Sequence, residues 1–511
     1  MAIVVSHLHT RFDALVAQAE RQAPLADLIE LRLDQLGHPG LDALRAAAKR
    51  AKKPLIAACP ARDAFGHFEG TREQRLALLR DAAQAGFGFV DVDWRDALDL
   101  GALAGKCHKI VSRHVTDGTP EDLAELADEI KGQMGEGDIA KLVTHARTCE
   151  DGLRMLAFLR TQKGLVGFCS GEAGSFTRVL ATIFGSPFTY AAAAQIPGQP
   201  LPELTAPGQI RVNDLLALLP PGGVHQGTAV FGVVGNPVRH SWSPRVHGMA
   251  LKHAQLDAVY VAFEPADCAR FLALATDEVF RGFSITAPFK SVAYAAARAR
   301  DGACERIGAA NTLVRDGKHW RASNTDVDAV RETLERALRV HSQKPGTPVA
   351  LAAARVLVLG TGGAARAAVG ALVPLGAQVA VAGRARAKAD QLARELGASA
   401  LDWSAIAAHE YDVLVHATPV GSLAAPGALP IPAEWIRAGT LVLDAVYRPL
   451  KTPLLVAAMQ KGCTAVPGGE WFVRQAGAQF KAFTGVDPDQ AVLRGAFEHA
   501  LAAERGAPAP A

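Results

Sequence analysis

No CxxC pair, Cys/His cluster or regular cysteine spacing occurs in the 511 residues; the seven cysteines (Cys59, Cys107, Cys149, Cys169, Cys268, Cys304 and Cys463) are scattered. This argues against a disulfide framework or a zinc site; no metal is expected, and a reducing cytoplasm suits such thiols best. A charge excess is also missing. Lys+Arg 54 against Asp+Glu 51 leaves a net +3, with no basic tract and no interleaved aromatics, so nucleic acid is not an expected partner. Long apolar runs are absent as well. The opening "MAIVVSHLHT" does not resemble a secretory leader, and "AAVGALVPLGAQVAVAG" at 367–383 is short, Gly-rich and broken by Pro374, so no membrane contact is expected. Composition leaves the oligomeric state open, a monomer included.

What is present is 49% hydrophobic and 21% charged residues, enough to build two or three ordinary globular domains. The first 219 residues alternate helical stretches with eight β-like runs: "AIVVS", "LIELRL", "PLIAAC", "GFVDVDW", "KIVSRHV", "IAKLVTH", "LVGFCS" and "FTYAAAA". This pattern predicts a parallel (β/α)8 barrel, whose reaction site lies at the C-terminal ends of the strands. Glu30, Arg32, Asp91, Asp93, His114 and Lys141 fall in or at those ends. A Pro/Gly stretch, "LLPPGGVHQGTA", closes this half before "VFGVVGNP" opens a second α/β unit and "RVLVLGTGGAARAAVGAL" a third.

Lys141, inside "DIAKLVTH", is the least expected of these residues, because a desolvated ammonium is costly. Burial among apolar groups would lower its pKa and free the amine to attack a ketone and form a Schiff base. His114, ending the preceding strand candidate, would then be general base and acid for the neighbouring C–H and a departing hydroxyl. The bland reading is a lysine snorkelling to the rim and a histidine satisfied by backbone.

In "VLVLGTGGAARAA", Gly360, Gly362 and Ala365 fit G-x-G-x-x-[G/A] between a strand and a helix, the setting in which backbone N–H groups hold a pyrophosphate. Gly363 and Ala364 share that turn. Past the next strand, where NAD enzymes carry a carboxylate, stand Arg384, Arg386 and Lys388; cations there favour the 2'-phosphate of NADP. A solvated helix start is the alternative for "RARAK".

Beside the cofactor unit, in the second half, lie "GNPVRHSWSPRVH", "GFSITAPFK", "GAANTLV" and "SNTDVDAV". Ser241 and Ser243 could bind a carboxylate, and Lys290 with Asp326 could form an acid/base pair, though spacing alone does not show that they meet. With "HATPVGS", "DAVYRPLKTPLL" and "EWFVRQAGAQFKAFTG", these motifs resemble the shikimate dehydrogenase family over roughly 228–500. The resemblance implies that Ser241 and Ser243 hold the substrate carboxylate, that Thr286, Asn311 and Gln475 hold ring hydroxyls, and that Tyr447 borders the substrate. It makes Lys290 and Asp326 the catalytic pair and puts Thr418 on the cofactor side. Ser284 and His416 stand where that family has Asn.

The first half resembles type I 3-dehydroquinate dehydratases through "ELR", "SRHVTDGTPED", "DIAK" and "APGQIRVNDL". That implies Lys141 as the imine-forming residue and His114 as the acid/base, with Asp91 near it. Glu30 and Arg32 would hold ring hydroxyls, Arg178 the substrate carboxylate, and Thr205 and Gln209 would come from a closing loop. Pro60 and Ala64 replace an arginine and a glutamate of that family; Arg62 is the expected substitute cation, and Glu69 or Asp63 the substitute carboxylate. Phe-Cys-Ser at 168–170 replaces a methionine-bearing strand end.

The order resembles bifunctional dehydratase/dehydrogenases, which convert 3-dehydroquinate to 3-dehydroshikimate and then, with NADPH, to shikimate. It implies an α/β chain with a TIM barrel at 1–222, a substrate domain at 228–335 completed by helices at 470–505, and a Rossmann-type NADP domain at 336–469. Two alternatives stay open: a preference for quinate in the second half, and a barrel kept as a non-catalytic binding or scaffold domain.

Overall fold

A computed structural model describes residues 1–196, 198–341 and 350–506; most of "HSQKPGTPVALAA" at 341–353, which reads as a loop between the second and third α/β units, lies outside the described residues. The chain forms two compact units, Met1–Ala229 with Asp257–Val279, and Val230–Leu256 with everything from Phe280 onward.

In the first unit all eight expected runs are strands: β1 (Ala2–His7), β2 (Leu28–Arg32), β3 (Leu55–Ala58), β4 (Phe89–Asp93), β5 (His108–Val115), β6 (Ile139–His145), β7 (Leu165–Ser170) and β8 (Phe188–Ala192). They pair in parallel in the order β7-β6-β5-β4-β3-β2-β1-β8. β7 also lies against β8, so the sheet is a barrel closed except for a backbone ladder at that seam. Alternation along the strands builds its interior in layers. Leu28, Phe89, Ile110 and Ile139 pack on an apolar floor with Val4, Ile56, Val166 and Phe188. Two residues further on, the same inward faces carry Glu30, Asp91, Ser112 and Lys141, followed by His114. The floor is worth about 1.5–3 kcal/mol per large side chain buried, and it holds the polar layer above it in register.

The segment Asp257–Val279, expected to belong with the next domain, groups with the barrel. Asp277 receives two hydrogen bonds from Arg160, at 2.8 and 3.0 Å, and Phe263 meets Phe176 with ring centroids 5.0 Å apart. The segment carries β10 (Ala258–Phe263), after β9 (Ala229–Val234) in the chain.

In the second unit, β11 (Phe280–Ile285), β12 (Ala299–Arg300), β13 (Thr312–Asp316) and β14 (His319–Ser323) line up with β9 in the order β9-β11-β13-β14-β12. The helix Thr325–His341 runs straight through the domain boundary expected at 335/336. Beyond it a parallel sheet has the order β17-β16-β15-β18-β19-β20, from β15 (Arg355–Leu359), β16 (Gln378–Ala382), β17 (Ser399–Ala400), β18 (Val413–His416), β19 (Leu441–Asp444) and β20 (Thr464–Val466). The strand order reverses between β15 and β18, the switch point at which such sheets open a crevice. The helix Gly468–Thr484 returns onto Thr325–His341, β11 and β13, and Gln490–Gly506 packs on Ser243–His253. Among the described residues no helix is long and apolar enough to cross a membrane.

Candidate active sites

The barrel cavity opens above the polar layer. It is lined by Glu30, Arg32, Asp91, His114, Lys141 and Arg178, with Thr205 and Gln209 from the loop after β8. Its volume of about 60 Å³ has room for roughly four or five waters. Register brings the central pair together: Ser112 of β5 faces Lys141 of β6, so His114 stands one inward position beyond the lysine on the adjacent strand. Burial, followed by the charges of Lys141, Arg32 and Arg178, pushes the His114 imidazole well below its usual pKa. It is therefore neutral at pH 7 and able to accept a proton.

Lys141 is only 5% exposed, yet it does not stand alone among apolar groups as the sequence suggested. Its ammonium is ion-paired with Asp91 and lies 4.7 Å over the Tyr190 ring. Asp91 thus belongs to the lysine. Glu30 accepts a 2.5 Å hydrogen bond from Ser6 and is held above the usual carboxylate range by burial, with the Lys141 ammonium opposing.

Arg32 forks onto Asp34 at 2.7 and 2.8 Å and donates to the carbonyls of Thr205 and Phe65 at 2.8 and 2.9 Å. It ties the loops after β3 and β8 to the mouth of the site. Arg178, by contrast, is 1% exposed and lies 4.3 Å over the Phe168 ring; burial pushes it down to about 10.

The loop 60–69 corrects one expectation. Pro60, Ala64 and Phe65 line the cavity, but Arg62 points away from it, exposed and paired with Glu69 at 3.0 Å. Asp63 pairs with Arg95, which also holds Asp93. The reason is local: the Gly66 N–H bonds the Ala61 carbonyl at 2.9 Å and Phe65 adopts a left-handed φ of 60°, so the turn presents Phe65 inward, edge-on to His114. Neither the substitute cation nor the substitute carboxylate reaches the cavity.

The second unit holds a larger cavity of about 390 Å³, lined by Ser241, Ser243, Thr286, Lys290, Asn311, Asp326, Tyr447 and Gln475. Lys290, at the start of the helix Lys290–Ala296, donates to Asp326 at 2.5 Å. The two serine hydroxyls lie 3.1 Å apart. Asn311 is locked from both ends, its amide donating to Thr325 at 2.9 Å and its oxygen accepting from Thr312 and the Thr325 N–H at 2.8 Å. Ser284 donates to Gln479 at 2.7 Å, and Gln479 donates to the Asn311 carbonyl at 2.8 Å. Gln479 lies one helical turn after Gln475 on the same face, a spacing that "QAGAQ" carries in the sequence.

At the switch point, Gly360 has φ 125°, and a Cβ there would lie 2.6 Å from the Ala417 carbonyl. A Cβ on Gly363 would lie 2.6 Å from Cδ of Lys290, so the glycine turn and the lysine are packed together. Gly362 faces open space before the helix Gly363–Leu372, which leaves backbone N–H groups clear for a pyrophosphate. Ala364 borders the cavity. Arg384, Arg386 and Lys388 are exposed beyond β16, Arg386 paired with Asp390 and Asp402. Beside Thr418, His416 bridges the Thr418 hydroxyl at 2.5 Å and the buried Asp444 at 2.8 Å; Asp444 in turn accepts from Thr452 at 2.6 Å.

Two enzymatic sites of different chemistry therefore share one chain, a lysine-bearing barrel and a dinucleotide-type dehydrogenase. Family models for type I 3-dehydroquinase, the shikimate dehydrogenase substrate binding domain and shikimate/quinate 5-dehydrogenase match residues 3–221, 233–313 and 343–423. The chain is 33% identical over 493 residues to a chloroplastic bifunctional 3-dehydroquinate dehydratase/shikimate dehydrogenase of Arabidopsis thaliana, covering 93% of this chain and 80% of that protein. It is 40% identical over 276 residues to a shikimate dehydrogenase (NADP(+)) of Halobacterium salinarum, covering 53% of this chain and 99% of that one. A solved shikimate dehydrogenase in complex with NADP+ is similar at 27% identity and a TM-score of 0.50, over 54% of this chain and 97% of that one. The chain belongs to the bifunctional 3-dehydroquinate dehydratase/shikimate dehydrogenase family.

Proposed function

We propose that the barrel dehydrates 3-dehydroquinate to 3-dehydroshikimate and that the second unit reduces this product to shikimate with NADPH. The observation that carries the first step is the register that sets His114 next to Lys141 in one cavity. The Lys141 amine attacks the ketone and water leaves, giving an iminium. Asp91 and the face of Tyr190 keep their attraction for a cation at that nitrogen throughout. The iminium acidifies the adjacent C–H; neutral His114 takes that proton and returns it to the departing hydroxyl. Hydrolysis of the imine frees Lys141. Arg178 holds the substrate carboxylate, and Glu30 a ring hydroxyl. Arg32 acts by fixing the loops that carry Phe65 and Thr205.

In the dehydrogenase, Ser241 and Ser243 bind the carboxylate, Thr286, Asn311 and Gln475 the ring hydroxyls, and Tyr447 closes one wall. NADPH, when bound, supplies the hydride. The Gly360–Ala364 turn fits its pyrophosphate and the cations at 384–388 its 2'-phosphate, with Thr418 oriented by His416. Lys290, held by Asp326, delivers the proton to the carbonyl oxygen and takes it back in reverse. The test of the barrel is borohydride reduction in the presence of 3-dehydroquinate, followed by peptide mass spectrometry. An adduct on Lys141 is expected; its absence in a protein that still reduces 3-dehydroshikimate would leave the barrel a scaffold.

A further inference from the structure

Two buried polar atoms belonging to residues of the barrel cavity have no hydrogen-bond partner among the described residues, the Tyr190 hydroxyl and Nε of Arg178. Tyr190 is 4% exposed. The two side chains meet the same ring: Phe168 lies 5.7 Å from the Tyr190 centroid and carries the Arg178 guanidinium on its face. An unpaired buried polar group costs about 1–3 kcal/mol, and a ligand that completes the bond is one reason for a fold to keep it. Burial, followed by the charges of Glu30 and Asp91, holds the Tyr190 phenol well above its ordinary pKa, so it keeps its proton and can donate. Arg178 has no carboxylate partner among the described residues. What both donors lack is an anionic oxygen, and a carboxylate, with about four lone-pair sites, can satisfy a guanidinium and a phenol together.

Resting on the dehydratase reading above, we infer that Tyr190 is a substrate-binding residue whose hydroxyl donates a second hydrogen bond to the carboxylate held by Arg178. The ring bearing this hydroxyl also carries the Lys141 ammonium on its face. One side chain thereby sets the distance between the carboxylate end of the substrate and the carbon that forms the imine.

The test is Tyr190→Phe in the full chain. KM for 3-dehydroquinate and the inhibition constant of 3-dehydroshikimate should each rise about tenfold, the lower range for a hydrogen bond to a charged group. kcat should stay within about twofold, since the ring under Lys141 remains. Inhibition by a cyclic polyol ketone without a carboxylate should not change, the melting temperature should not fall, and the dehydrogenase activity of the same chain is the internal control. Unchanged KM and inhibition constants would overturn the inference. So would an equal loss of affinity for the carboxylate-free inhibitor, or a fall in kcat at constant KM. If the wild-type chain does not dehydrate 3-dehydroquinate, the dehydratase reading itself fails and the inference falls with it.

Discussion

Both lysines proposed to react are paired with an aspartate, Lys141 with Asp91 and Lys290 with Asp326, yet the surroundings of the two pairs differ. Lys141 projects from mid-strand into a cavity of about 60 Å³, with an aromatic face beneath it and a neutral imidazole beyond. Lys290 starts a helix beside a cavity of about 390 Å³ and leans on a glycine of the dinucleotide turn. A Lys–Asp pair does not by itself specify a reaction. On the reading proposed above, what lies past the amine decides: a small pocket with a base suits a covalent imine, and a larger pocket next to a cofactor cradle suits proton transfer alone.

The sharpest way to break this contrast is Lys141→Ala. It should lower dehydratase kcat by about 10⁴-fold or more, as expected for loss of a nucleophile, and leave shikimate oxidation untouched, measured on one preparation. Lys290→Ala should cost the dehydrogenase about 10²–10⁴-fold while imine trapping on Lys141 continues. Equal losses in both activities from either variant would mean that the units are not chemically independent.

The pH profile sharpens the same point. Because the His114 pKa is depressed, the imidazole is neutral at pH 7, and protonation removes the base as pH falls. The acid limb of dehydratase kcat should therefore appear well below pH 6.5 and vanish from the residual activity of His114→Ala. A smaller effect is expected from His416→Ala. Loss of its bond to Thr418 should raise KM for NADPH about five- to tenfold with no change in the barrel. Arg62→Ala should change either activity by less than about twofold, since its ion pair with Glu69 is exposed; a larger loss of dehydratase activity would return that cation to the site.

The barrel and its lysine were legible because pattern and composition agree: eight short β runs separated by helical stretches, several of them with charged residues, Lys141 among these, inside otherwise apolar runs. The loop 60–69 was not, because the direction of Arg62 depends on a left-handed Phe65 and a Gly66–Ala61 bond that no residue type announces. Asp91 was read as a neighbour of His114. Both line the one cavity, and the ion pair of Asp91 is with Lys141, across an intervening strand, a contact that exists only once the sheet curves. Tyr190 carries no signal of its own in "FTYAAAA", since an aromatic there satisfies a strand pattern and its hydroxyl becomes visible only as an orphan. His416 was noticed as an oddity, but its partner Asp444 required the β18–β19 register. No residue marks 335/336 as a boundary, because an amphipathic helix runs across it to His341.

Gly363 serves two neighbours at once, the turn it opens and the Lys290 stem that fills the space a methyl group would need. A side chain there would have to displace the lysine stem whether or not a dinucleotide is bound, so the constraint on this residue outlasts the cofactor.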